Sequence, residues 1–205
     1  MDYDKLASPA AVKKTAAVLR KKRYNVNVFK TGSDALSAIK KAIPDGASVM
    51  NGASVTLEQI GYLDYLASGK HKWVDLHAKV ASENDREKRA KLRREAVLSD
   101  YYLGSVHAVT QEGDFIVASN TGSQLPHIVF TSKNLIFVVS TKKIVKNLDE
   151  AMERLIKHAY PLEDKKLMEK YNIHTGVSKI ITFKGESTFS DRTISFFLVE
   201  QNLGY

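Results

Sequence analysis

Three nearly unbroken apolar runs constrain this chain more than any other feature: residues 115–118 (FIVA), 135–139 (LIFVV) and 194–199 (ISFFLV). A strand with one face in water alternates apolar and polar residues. These runs do not, so both faces need cover, as in a parallel sheet packed between helices. The expected fold class is therefore α/β, a mostly parallel sheet flanked by helices.

The first half of the chain alternates helix and strand signals. Ser8-Pro9 reads as an N-cap followed by proline in the first turn, and Val12, Ala16 and Leu19 recur at helical spacing up to a basic end, giving a helix at about 8–23. A strand is expected at 24–29. A second helix follows, capped by Ser33, carrying Ala35, Leu36, Ile39 and Ile43 and ended by Pro44-Asp45-Gly46. Then come a strand at 47–50, a helix at 56–66 closed by Ser68-Gly69, a strand at 73–77 and a charged helix at 84–98. Beyond Gly104 the predicted strands are 108–110, 115–118 and 135–139, followed by a helix at 147–160. Closing strands at 180–183 and 194–199 flank the turn Gly185-Glu186-Ser187, which predicts that they pair with each other at a sheet edge or flank. At 205 residues the chain reads as a single domain, 1–205.

Composition excludes some chemistry. The chain has no cysteine, which rules out disulfides, thiol catalysis and clusters held by its own thiolates, and it fits a reducing compartment. No apolar run approaches the roughly 20 residues of a membrane span, so the expectation is a cytoplasmic protein. A net charge of +8 and a pI near 9.4 favour acidic partners.

Two polar turns stand where predicted strands end. In the first, Gly52-Ala53-Ser54-Val55-Thr56 joins a strand to a helix, so that unpaired N–H groups and the hydroxyls of Ser54 and Thr56 could meet an anion. Ser54 with Glu58 nearby equally fits a helix cap. In the second, Asn120-Thr121-Gly122-Ser123-Gln124 interrupts two apolar runs read as β-type. Its glycine allows positive φ, and its short side chains offer donors and acceptors. The alternative is a turn whose side chains satisfy their own backbone. Sheets of this class bind ligands at the carboxyl ends of their strands, where both turns could converge. Neither a GxGxxG nor a Walker motif is present.

Other candidates are less marked. Glu83, Glu112 and Glu200 could act as bases, though a carboxylate near a strand end is ordinarily a surface group. The six histidines show no ligand spacing, so no metal site is expected; His107 and His127 lie nearest the polar strand ends. Residues 85–95 hold six basic against three acidic residues, and the mixed signs favour a solvated helix over nucleic-acid binding.

The segments GASVTLEQIGYLDYL, YYLGSVHAVTQEGDFIVASNTGSQLP, KIVKNLDEAMERL and RTISFFLVEQNLGY together resemble the LUD-domain proteins, the lactate-utilisation family. Gly52, Ser54, Thr56, Leu57 and Gly61 match its glycine-serine turn and helix, Thr121-Gly122 its Thr-Gly turn, and Leu203-Gly204-Tyr205 its Leu-Gly-aromatic end. The resemblance implies a fold similar to the CoA-transferase, ribose-phosphate isomerase and glucosamine-phosphate deaminase superfamily. It also implies a small anionic metabolite as ligand, a role in the use of lactate or related organic acids, and iron-sulfur oxidoreductase subunits as partners. A non-enzymatic accessory subunit docking on such partners is the alternative, since no acid–base pair stands out; no catalytic residue or cofactor is assigned. The expected ligand contacts are Gly52, Ser54, Thr56, Asn120, Thr121, Gly122 and Ser123, with Glu83 and His107 as further pocket residues. The chain departs from some relatives in lacking a cysteine-rich segment before the last strands, and in having His107 where a smaller residue such as Asn is expected. The apolar strands near the C-terminus suggest a homo-oligomer.

Overall fold

Local capping decides where the first elements begin. The computed structural model describes residues 2–205. Helix α1 (Pro9–Lys21) starts at Ser8, whose hydroxyl accepts from the Ala11 N–H, and it buries Val12, Thr15, Ala16 and Leu19. Strand β1 (Asn25–Phe29) follows. Helix α2 (Gly32–Ala42) is capped by Thr31, not Ser33: Thr31 accepts from the Asp34 N–H while the Asp34 carboxylate accepts from the Thr31 N–H. This reciprocal box satisfies two backbone donors and outcompetes a lone serine.

After β2 (Ser48–Asn51) the predicted single helix is two, α3 (Val55–Gln59) and α4 (Tyr62–Ala67), parted at Gly61, whose φ of +78° no helix accommodates. Strand β3 (Val74–Asp75) is only two residues long, because Asp75 already caps α5 (Leu76–Ala81). Helix α6 (Arg86–Glu95) buries no residue, as expected of the charged segment. Strand β4 (Tyr101–Gly104), which the sequence reading missed, leads to β5 (Ala108–Thr110) and β6 (Phe115–Ser119).

The apolar run after the second polar turn is not a strand. Residues 127–131 form a π-helical turn, His127–Thr131, which leads into β7 (Asn134–Ser140) and β8 (Ile144–Val145). Helix α7 (Leu148–Arg154) passes through a second π-helical turn, Leu155–Ala159, into α8 (Tyr160–Tyr171), well beyond the expected end near residue 160. Pro161 has no N–H to give back along the helix, and the ladder loosens just upstream of it.

The closing strands β9 (Lys179–Phe183) and β10 (Thr193–Val199) do not pair with each other. Strand β9 is antiparallel to β6 in a four-stranded sheet of order β8-β5-β6-β9. Strand β10 lies between β1 and β7, parallel to both, in a six-stranded sheet of order β1-β10-β7-β4-β2-β3 in which every pairing is parallel. Burial explains the split. From Phe196 to Val199 every side chain of β10 is buried, which only an interior strand permits, whereas β9 is partly exposed throughout.

The large sheet has two cores. On one face Tyr102, Leu135, Phe137, Val139, Phe196 and Leu198 pack with α1 residues and with Val109, Phe115 and Val117 of the smaller sheet. On the other, Leu103, Ile136, Val138, Phe197 and Val199 pack with Ile39 of α2, Leu57 of α3 and Leu66 of α4. Alternate residues of the same strands feed opposite cores, as the unbroken apolar runs required. Helix α7 covers the outer face of the smaller sheet with Ala151, followed by Leu155 and Ala159 of the π-helical turn.

Candidate functional site

Strands β7, β4 and β2 are neighbours in the large sheet, and their carboxyl ends open onto one cavity of about 380 Å³. Gly52, Ser54 and Thr56 line it beyond β2, Gly104 and Ser105 at the end of β4, and Lys143 beyond β7. The smaller sheet adds His107 and the turn after β6 with Asn120, Thr121, Ser123 and Gln124. Leu155, Tyr160 and Glu163 of the α7–α8 segment, and Gly204 and Tyr205, complete the wall.

The two polar turns therefore share one cavity, and they approach closely. A Cβ placed on Gly52 would lie 2.8 Å from Gln124 Oε1 and 2.5 Å from the Tyr102 hydroxyl, so any larger residue forces one of these side chains to move. Tyr102 is fully buried, its hydroxyl donates to Gln124 Oε1 at 3.4 Å, and Gln124 Nε2 donates to the Ala118 carbonyl at 3.1 Å.

Of the nine expected site residues, seven line the cavity: Gly52, Ser54, Thr56, His107, Asn120, Thr121 and Ser123. Gly122, with φ +84°, shapes the turn and packs toward Lys179 instead of lining the cavity. Glu83 is outside it, between α5 and α6, where its carboxylate accepts from the Asp85 N–H. Glu200 pairs with Lys30, and Glu112 sits in the β5–β6 connection.

Structural and lining roles overlap in both turns. The Ser54 hydroxyl accepts from the Leu57 N–H at 3.3 Å and so caps α3, as one reading of the sequence held. Thr121 Oγ1 donates to Ser123 Oγ at 3.1 Å, Ser119 Oγ accepts from the Gly122 N–H, and Asn120 Oδ1 accepts from Ser178. The second turn thus satisfies much of its own polarity while facing the cavity.

The side chain that sequence reasoning missed is Lys143. It is 5% exposed, and its ammonium nitrogen lies 3.2 Å from Thr56 Oγ1, 3.1 Å from Ser105 Oγ and 3.3 Å from the Val106 carbonyl. Among the described residues it has no carboxylate within ion-pairing distance; Asp4 pairs with the adjacent Lys142. Burial, together with the charges of Arg154 and Lys142, pushes its pKa well below the usual 10.5. Its place, just past the carboxyl end of the apolar run 135–139, is the one local sign of it, and a lysine pair there ordinarily reads as solvent-exposed.

Arg154 is also fully buried. One of its N–H groups donates to the His107 carbonyl at 2.7 Å, while Nε and Nη2 find no protein acceptor. His107 Nδ1 accepts from the Ala118 N–H at 3.1 Å, which places the imidazole proton on Nε2. Burial, with Lys143 and Arg154 nearby, drives its pKa down to about 3, so the ring stays neutral. The wall therefore combines hydroxyls, the Lys143 nitrogen and a neutral imidazole, with Glu163 its one side-chain carboxylate. Among the described residues no three His, Asp or Glu side chains come together as metal ligands, and no helix is long and apolar enough to cross a membrane.

A parallel sheet covered on both faces, with a polar cavity where three adjacent strands end, defines an α/β protein built around a strand-end pocket. A family model described as the LUD domain matches residues 12–194, and the chain belongs to that family, which is associated with lactate utilisation. Among solved structures it is similar to a DUF162 family protein from Deinococcus radiodurans, with a TM-score of 0.58 at 12% identity, covering 95% of this chain and 99% of that one. At that identity the likeness concerns the fold. No curated protein matches the chain.

Proposed function

We propose that the protein binds a small organic acid, lactate or a close relative, in the cavity at the ends of β2, β4 and β7. The observation that carries this reading is Lys143, a buried lysine on the cavity wall without a carboxylate partner, beside the equally unpaired Arg154. Leaving Lys143 without a countercharge in a low-dielectric site, with a second buried cation nearby, is costly, and an anion entering the cavity would supply what the chain omits. The Thr56 and Ser105 hydroxyls supply hydrogen bonds to orient a carboxylate. Membership of a family associated with lactate utilisation directs the choice toward organic acids.

The test is a thermal-shift screen of lactate, pyruvate, sugar phosphates, CoA esters and nucleotides, in which a true ligand stabilises the folded chain by mass action. Organic acids should raise Tm in the wild-type protein, and a folded Lys143→Met variant should lose that response. Absence of a shift with every anion, or a shift that Lys143→Met leaves intact, refutes the reading.

A further inference from the structure

We propose that Lys143 is a nucleophile that forms a covalent imine with a 2-oxo acid held in this cavity. The inference rests on the organic-acid reading above and extends it from recognition to bond formation. Its ground is the company Lys143 keeps. The nitrogen touches two hydroxyls and a backbone carbonyl and no acid, so no carboxylate fixes it as an ammonium.

Its position is also fixed. A Cβ on Gly204 would lie 2.2 Å from Thr56 Oγ1 and 3.0 Å from Lys143 Nζ, so Leu203-Gly204-Tyr205 passes directly over the pair and pins the amine against the hydroxyls. Gly204, at φ +66°, is held there by its N–H donating to Gln59 Oε1 at 2.6 Å. A buried, desolvated lysine among cations is the setting in which an amine becomes a nucleophile toward carbonyls.

The hydroxyls suit the proton traffic of the step. Thr56 Oγ1 and Ser105 Oγ are 3.5 Å apart and both lie within hydrogen-bonding distance of the nitrogen, so either can donate or accept as the nitrogen changes state. The amine lone pair forms the C–N bond while the carbonyl π pair moves to oxygen. That oxygen gains a proton through the hydroxyls as the nitrogen gives one up, which yields a carbinolamine. Protonation of its hydroxyl then releases water as the C=N bond forms. In sum, amine, ketone and one proton give an iminium and water, with no change of oxidation state. The new positive charge lies next to the carboxylate of the acid itself.

The experiment uses the full chain. Protein is incubated with pyruvate at limiting concentration, reduced with borohydride, and analysed by intact mass and peptide mapping, with thermal shifts by pyruvate and lactate measured in parallel. The expected result is one reduced adduct located on Lys143, lost when excess lactate competes and lost in a folded Lys143→Arg variant. Mapping the wild-type adduct needs no variant, so a misfolded substitution does not decide the question. If pyruvate raises Tm but leaves Lys143 unmodified, or the adducts scatter over surface lysines and ignore lactate, the imine is refuted while organic-acid binding stands. If neither acid shifts Tm and Lys143 is unmodified, both readings fall.

Discussion

Gly52 shows how one missing methyl group sets the geometry of the cavity. Its φ is unremarkable, so the demand for glycine is purely steric, with the Tyr102 hydroxyl and Gln124 Oε1 filling the space where a Cβ would stand. The buried Tyr102 ring also stacks on His127, their centroids 4.6 Å apart, and has little freedom to retreat. Gly52→Ala should therefore cost about 1–3 kcal/mol by overpacking and weaken any organic-acid thermal shift. Urea denaturation checks it, and a loss within error would mean that Tyr102 swings aside. The two turns were legible as turns at strand ends because glycine and short polar side chains break the apolar runs there, although the same residues also serve as a helix cap and as partners for their own backbone. Lys143 was not, because a lysine pair after a strand reads as solvent-exposed until the fold places α7 and the Leu203-Gly204 segment over it.

At the scale of elements, the largest misreading concerns residues 127–131, and Arg192 supplies the physical reason. Their composition is β-prone, yet the Arg192 guanidinium donates to the carbonyls of His127 (2.9 Å), Ile128 (2.8 Å), Val129 (2.7 Å) and Ser132 (3.0 Å). A π-helical turn leaves carbonyls without the usual helical donors, and one planar cation satisfies four of them. The partner lies some sixty residues along the chain, where no local pattern could reveal it. Lys at this position offers a point charge that cannot span the four, so Arg192→Lys should cost about 2–3 kcal/mol. Hydrogen exchange should show lost protection concentrated at residues 125–132; uniform loss would show that the arginine does not act through this turn. Elements with their own caps, such as α1, were readable because their stabilising contacts lie within a few residues.

For the molecule as a whole, the apolar runs at 135–139 and 194–199 foretold a parallel, doubly covered sheet, and β7 and β10 build it; the third run, 115–118, is buried as expected but lies in β6, antiparallel to β5 and β9 in the smaller sheet. The runs said nothing of the smaller sheet, because β5 and β6 are as apolar as the main strands and only partner choice separates them. The fold also sets an acid limit through its histidines. Burial lowers the pKa of His107 to about 3 and that of His127 to about 4, against 6.5 when exposed. Below pH 6.5 the unfolded chain takes up protons that the folded one refuses. Stability contributed by the neutral rings is thus complete above 6.5 and drains away as pH falls toward 4, by several kcal/mol in total. Urea midpoints measured from pH 7 to 4.5 should fall steeply, and His107→Asn should flatten the slope; an unchanged slope would show that His107 is not among the groups responsible.

The place of β10 has a consequence for synthesis. Strand β1 emerges from the ribosome among the first elements, yet its sheet partner within the described chain is β10, whose other edge completes β7. Until residues 193–199 leave the exit tunnel, β1 and β7 each have an open edge, that of β7 strongly apolar, and the sheet is split into a lone strand and a fragment. A stalled or shortened nascent chain would display those edges to its neighbours, so the window in which this sheet needs a chaperone stays open until β10 is made.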